Sequence, residues 1–211
     1  MKITFVRKRH EYDDVYTFSF EAPGLSYDAG QYTHLHIRQG RELMGAVREM
    51  SFASAPHESE IFFTMHMASG SKFKSRMAAL RPGEKIGLFR SGSHICLPAI
   101  PGKELVFIGG GVGMTPFRSM ICSAQGSGHK ISVIQVQRGN FLYEDELRGW
   151  VSNYLPIRPD SFDEQVSEVA LSASDTAQFY VCGSARLVKG VRTILRDSAI
   201  ADARIHIENY N

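Results

Sequence analysis

The sequence predicts two domains in series, an antiparallel β-barrel over residues 1–101 and an α/β doubly wound parallel sheet over residues 102–211. Three observations carry that reading. The first half alternates apolar and polar residues in short runs broken by Gly and Pro, which is the period-two pattern of antiparallel strands. The second half alternates strand-like runs with helix-like segments, as βαβ units do. Between them Pro98-Ala99-Ile100-Pro101-Gly102 punctuates the chain, leaving about 100 residues on each side, a common domain size.

Taken in order, Val15 to Phe20 alternates cleanly, Ala22-Pro23-Gly24 breaks the run, and Gln31 to Ile37 alternates again. Short strands joined by tight turns favour a small barrel or sandwich. Arg48 to Pro56 reads as a further strand with Met50 and Phe52 as its apolar positions, and Pro56 ends it. Ile61 to Met67 is another. Ser69 to Ser75 opens a short helix, because Phe73, Met77 and Leu80 recur at i, i+4 and i+7, and Arg81-Pro82-Gly83 stops it. Lys85 to Phe89 is the last long strand of this half, with Ile95 to Leu97 a short apolar piece. Beyond the link, strands are expected at Leu105 to Ile108, Lys130 to Gln137, Gln178 to Cys182 and Arg204 to Glu208, and helices after Thr115, at Glu144 to Trp150 and at Ala185 to Leu195. Asn153 to Thr176 is weakly patterned and is expected to be partly loop.

Composition excludes several classes. The net charge of +2 is too small to argue for a nucleic-acid partner, and the 43% hydrophobic content is that of an ordinary globular chain. No run approaches the roughly 20 apolar residues of a membrane span, and the first ten residues lack a signal-peptide core, so a cytoplasmic location is expected. Cys96, Cys122 and Cys182 are odd in number and widely spaced, which offers neither a disulfide framework nor a four-cysteine iron–sulfur site. Any one-electron partner must bring its own metal centre. His34 and His36 share one face of a strand, but no carboxylate or cysteine cluster accompanies them, and no metal site is expected.

The chemistry centres on Glu104 to Met120, ELVFIGGGVGMTPFRSM. A strand, a glycine turn and a helix start make an anion cradle, because the first N–H groups of a helix lack partners and carry partial positive charge. Thr115 is expected at the N-cap with Pro116 at the first helical position. The dinucleotide fingerprint G-x-G-x-x-G is met at Gly109 and Gly111, but Met114 occupies the third glycine place, and no Lys-Ser or Lys-Thr pair follows as in an ATP-type loop. A tight turn without a ligand is the alternative for this loop read alone.

The segment GVGMTPFRSM resembles the nicotinamide-binding loop of the ferredoxin-NADP reductase family. Four further stretches resemble marks of that family in its order: Arg48-Glu49-Met50-Ser51 its flavin motif R-x-Y-S, Gly70-Ser71 its pyrophosphate turn, Tyr180-Val181-Cys182-Gly183 its Y-x-C-G, and Glu208-Asn209-Tyr210 its C-terminal V-E-x-Y. The resemblance implies a flavin-binding barrel followed by an NAD(P)-binding α/β domain, and an enzyme that passes hydride from nicotinamide to flavin and then electrons to a redox protein such as ferredoxin or flavodoxin. An oxygenase reductase component, or a nucleotide-sensing module that binds flavin weakly, is the alternative.

It also implies residue roles. Arg48 would hold flavin phosphate and Ser51 the redox-active edge of the ring, with Thr64, Met65 and His66 along ring and ribose. Gly70, Ser71 and Lys72 would receive a pyrophosphate, with Lys74 close by, which favours FAD over FMN. Gly109, Gly111, Gly113, Met114, Thr115 and Pro116 would cradle NADPH or NADH, with Cys182 and Gly183 against the nicotinamide and Glu208 near the transfer site. Arg138, at the end of the second strand of this half, would favour NADPH. Tyr210 would stack on the flavin. The sequence departs from the family in having Met50 where an aromatic residue stacks, Arg90-Ser91-Gly92 in place of Gly-Pro-x-Gly, and Asn211 beyond the terminal aromatic.

Overall fold

Phe18, Phe20, Phe52 and Phe63 are fully buried, and their packing curls the first half. The computed structural model describes every residue except 39, 41–43, 94 and 211 and the side chain of 210. Six antiparallel strands form one sheet: β1 (Lys2–Tyr12), β2 (Val15–Glu21), β3 (Tyr32–Ile37), β4 (Ala46–Ser51), β5 (Ile61–His66) and β6 (Lys85–Gly92), in the order β4-β3-β6-β1-β2-β5. Phe5 and Phe63 each pack against Phe20, with ring centroids 5.5 and 6.0 Å apart, and Phe52 stacks on Tyr27 at 4.0 Å. Each such ring contributes about 1.5–3 kcal/mol by leaving water. The sheet is a curled half-barrel. Its edge strands β4 and β5 approach at one end, where Ala53 N–H donates to the Phe62 carbonyl at 2.9 Å. Helix α1 (Lys72–Ala79) closes the other side of this core with Phe73 and Met77.

The second sheet is parallel: β7 (Glu104–Gly110), β8 (Lys130–Val136), β9 (Asn153–Ile157), β10 (Gln178–Ser184) and β11 (Ile205–Tyr210), in the order β11-β10-β7-β8-β9. Its first strand is therefore central. The chain winds outward through β8 and β9 and returns to the other side for β10 and β11, so the topological switch point lies between β7 and β10. Strand residues alternate between two cores. Leu105 and Phe107 face α2 (Met114–Ser123), α3 (Glu144–Trp150) and the first half; Val106 and Ile108 face α4 (Phe162–Ser172) and α5 (Ala185–Asp197).

Residues 153–176 are partly loop, as expected, at 158 and 173–176, but they also hold β9 and α4, which the sequence pattern did not show. The strand is an edge strand containing Pro156, and the helix buries only Val166 and Ala170 fully, which weakens both patterns. The piece from Ile95 to Leu97 forms no strand; Ile95 instead plugs the shared core. Among the described residues no helix is long and apolar enough to cross a membrane.

One buried cluster joins the halves. The Arg118 guanidinium of α2 donates to both carboxylate oxygens of Glu58, to both of Glu146 and to the Ala53 carbonyl, at 2.7–3.1 Å. It is flanked by Phe62, Tyr143 and Trp150, each with its ring centroid 5.2–5.6 Å from the guanidinium carbon. Beside it, Ser119 donates to the Ser54 carbonyl at 2.6 Å. The two carboxylates hold the guanidinium far more firmly protonated than a free arginine, although burial acts the other way.

Candidate functional site

Opposite that cluster the halves part into a cleft of 480 Å³. The edge strands of the curled sheet supply its barrel wall, Arg48, Glu49, Met50 and Ser51 from β4 and Thr64, Met65 and His66 from β5. Side chains two apart on a strand share a face, yet β4 contributes consecutive residues, because its last positions run along the rim where the sheet is open. Ser69, Phe73 and Lys74 close one end, and Val112, Thr115 and Asn209 form the wall from the second half.

The cleft lining carries two cations, Arg48 and Lys74, and one carboxylate, Glu49, which lies 3.6 Å from His34. Arg48 is exposed and makes no hydrogen bond or ion pair with any other described residue. Lys74 lies in the same lining, and partial burial, together with the Arg48 charge, lowers its pKa from the ordinary lysine value. Ser71 caps α1, its hydroxyl accepting from the Lys74 N–H at 3.4 Å, after Gly70 turns the chain at φ +57°. A helix start and two cations thus face one space. Asp14 partly opposes them: it accepts from the Ala68 N–H at 2.8 Å and lies 3.1 Å from His66 Nδ1, and these contacts lower its pKa.

Across the cleft, the glycine loop is built by close approach. A Cβ on Gly113 would lie 2.6 Å from the Cys182 carbonyl oxygen and 2.9 Å from the Gly183 Cα, so only glycine lets the loop touch the end of β10. Gly111 has φ +55°, and a Cβ there would stand 3.7 Å from His66 Nε2, across the cleft. Gly109, Cys182 and Glu208 lie in one row across three neighbouring strands, at their carboxyl ends. Glu208 and Cys182 are buried, and Asn209, paired with Gly183, reaches the cleft.

The start of α2 corrects one expectation. Gly113, not Thr115, is the N-cap, and no side chain caps the helix. A turn of 3-10 helix over Gly111–Gly113 tightens the entry, and the Thr115 hydroxyl donates back to the Val112 carbonyl at 2.6 Å. Pro116 accordingly falls inside the first turn instead of opening it. The Met114 N–H donates to the Gly111 and Val112 carbonyls and Pro116 has no N–H, so any anion would be met by the N–H groups of the glycine turn that precedes α2.

The other sequence-named residues divide. Thr115 lines the cleft, whereas Met114 is fully buried and Pro116 is buried with it beneath the loop. Lys72 is exposed and outside the lining; Lys74 takes the cleft side. Arg138 is exposed just beyond β8, outside the lining as well. The role expected of Tyr210 falls on a side chain outside the described residues, as does Asn211. Lys74 was expected close to the pyrophosphate turn, whereas sequence reasoning missed Glu49, Asn209, Val112 and Phe73 as cleft residues. The i, i+4 spacing had marked Phe73 for the core only, and it serves core and cleft together.

No family model matches the chain. Among curated proteins it is 30% identical over 166 residues to the ferredoxin–NADP reductase of Pseudomonas aeruginosa, a match covering 75% of this chain and 62% of that one. Among solved structures it superposes on a ferredoxin NADP⁺ reductase of Neisseria gonorrhoeae, determined with bound FAD and NADP, at a TM-score of 0.82, covering 99% of this chain and 98% of that one at 19% identity. In sequence the chain is similar to ferredoxin–NADP reductases, and its fold matches one of them over nearly the whole of both chains. A shorter match, 28% over 97 residues, is the reductase component 2 of terephthalate 1,2-dioxygenase from Comamonas sp, covering 45% of this chain and 27% of that one. The chain spans 62% of the length of the curated ferredoxin reductases it matches. In this reductase-like chain the cleft sits where the half-barrel rim meets the switch point of the parallel sheet.

Proposed function

We propose that the chain is a flavin-dependent NAD(P)H oxidoreductase that delivers electrons to a redox protein of the ferredoxin or flavodoxin class. The observation that carries the reading is the pairing, across one cleft, of two cations, Arg48 and Lys74, with a glycine loop that only glycine can build. We assign residues 1–101 to the flavin and residues 102–211 to the nucleotide.

The residues present fit both groups. Arg48 and Lys74, with the Ser71-capped start of α1, suit the phosphates of FAD. The glycine turn that precedes α2 suits those of a dinucleotide. When bound, a flavin accepts hydride from a reduced nicotinamide and releases electrons one at a time. The protein's part is to orient the rings and exclude water. Ser51, buried at the cleft floor, has a hydroxyl suited to a ring nitrogen, and Thr115 borders the space between the halves. Cys182 and Glu208, adjacent on β10 and β11, shape the nucleotide end; burial of the cysteine suits packing and not nucleophilic attack. Met50 and Met65 offer thioether contacts to an aromatic ring in place of an aromatic stack. Arg138 supports NADPH over NADH, being an exposed guanidinium beyond the second strand of the sheet. Three free cysteines suit a reducing, cytoplasmic setting.

The test is an anaerobic titration of the purified protein with NADPH and NADH, following the visible spectrum. Bleaching of a bound-flavin band near one equivalent, more readily with NADPH, is expected. A colourless protein that takes up neither FAD nor FMN and ignores both nucleotides would overturn the reading.

A further inference from the structure

We propose that Arg118 is a positioning residue for hydride transfer, a clasp that sets the distance between the flavin wall and the nucleotide loop. The inference rests on the reading of the cleft given above. Its physical basis is the saturation of one buried side chain. A guanidinium has five N–H donors, and each of those of Arg118 has an acceptor: Nε with Glu146, Nη1 with Ala53 and Glu58, and Nη2 with Glu58 and Glu146. Two fork-to-fork carboxylate pairs fix its plane as well as its place. The guanidinium itself is 4% exposed, so its side of each pair is shielded from solvent, while Glu58 and Glu146 reach the surface.

The acceptors come from different halves. Glu146 lies on α3, beside α2 in the second half, whereas Ala53 and Glu58 follow β4 in the first. The loop holding them is itself rigid: Ala55 N–H donates to Glu58 at 2.6 Å, and the Tyr27 hydroxyl bonds Ser54 and Ala55. Ser119 adds a second tie from α2 to the same loop. The ties sit next to the cleft in both chain directions. Ser51 of the flavin wall is two residues before Ala53, and Thr115 of the nucleotide wall is three residues, about 4.5 Å along the helix, before Arg118. Any slip of α2 against this loop therefore passes directly to the separation of the two cleft walls. A displacement of about 1 Å at a reacting pair is enough to slow transfer about a hundredfold.

Glu58 and Glu146 make a discriminating pair. Glu58→Gln weakens the tie between halves, and Glu146→Gln weakens one within a half, while both remove a charge from the same guanidinium. In single-turnover reduction by saturating NADPH, Glu58→Gln is expected to slow the transfer step about ten- to a hundredfold with little change in flavin or nucleotide affinity. Glu146→Gln is expected to change it less than about threefold. A readout independent of chemistry is the spread of distances between spin labels at Ser59→Cys and Asp145→Cys, in a Cys96→Ser background, which should broaden with Glu58→Gln in the ligand-free chain and not with Glu146→Gln. Glu58→Asp, which keeps the charge on a shorter reach, should fall between Glu58→Gln and the unaltered chain, and it serves if Glu58→Gln does not fold. Equal rate losses in the two glutamine variants, or an unchanged transfer step and label spread in the Glu58 variants, would overturn the proposal. A parent protein that binds no flavin and ignores nucleotide fails the functional reading instead, and the label distances still report whether Glu58 holds the halves together.

Discussion

The contact between the two halves has a closed side and an open side, and an arginine marks each. On the closed side Arg118 is buried, faces three aromatic rings and has an acceptor for every donor. On the open side Arg48 is exposed with no carboxylate partner among the described residues, and the nearest cation, Lys74, repels it. Burying a charge is tolerable only with full compensation, so the closed side must be complete within the protein. The open side avoids that cost by staying wet, and its charge is available to an anion. The difference teaches where to look for a ligand: at the incomplete side of an interface whose other side is complete.

The comparison can be broken most sharply at Arg118. Arg118→Lys leaves a single ammonium to serve acceptors arranged for a fork, and a stability loss of about 3–5 kcal/mol is expected, measured by urea unfolding. Next comes Gly113→Ala, whose methyl group would strike the Cys182 carbonyl at 2.6 Å; forcing β10 and the loop apart should cost about 1–3 kcal/mol and abolish the nucleotide response in titration. Arg48→Gln should leave stability nearly unaltered and weaken flavin binding about ten- to a hundredfold, as followed by fluorescence quenching; a large loss of thermal stability would show that the open side is structural after all. Met50→Tyr restores an aromatic wall and should tighten flavin binding about three- to tenfold. The smallest effect concerns pH. Because the Lys74 pKa is lowered in the free cleft, its charge is lost sooner as pH rises, and flavin affinity should fall on approach to the lysine range; Lys74→Arg should flatten that decline.

Most of the fold was legible because each half repeats one period throughout. The strand, glycine loop and helix from Glu104 onward were legible for a stronger reason, since four apolar residues followed by glycines admit few arrangements. The failures have physical causes. Thr115 was read as a cap from its identity, but a 3-10 turn brought the helix start forward and redirected its hydroxyl to Val112. Residues 153–176 hid an edge strand and a half-exposed helix, neither of which carries a full apolar face. In the site, motif residues Arg48, Ser51 and Thr115, and Lys74 beside the Gly70-Ser71 turn, were found by local spacing, while Glu49 and Asn209 arrive by tertiary placement. Asn209 reaches the cleft only through its register with Gly183. Arg118 was passed over inside the motif itself, because a charge in an apolar-periodic helix reveals its partners only when Glu58 and Glu146 are brought beside it.

The order of strands in the parallel sheet has a consequence for biosynthesis. The central strand β7 is made early in that half, yet its neighbour β10 emerges some 70 residues later and β11 last of all. Domains generally fold from the N-terminal side as the chain grows, and pairings between distant segments form slowly. A growing chain can therefore close its half-barrel long before the glycine loop has β10 to lean on or Asn209 to complete the wall. Until those last strands dock, the nascent protein holds one side of its cleft without the other.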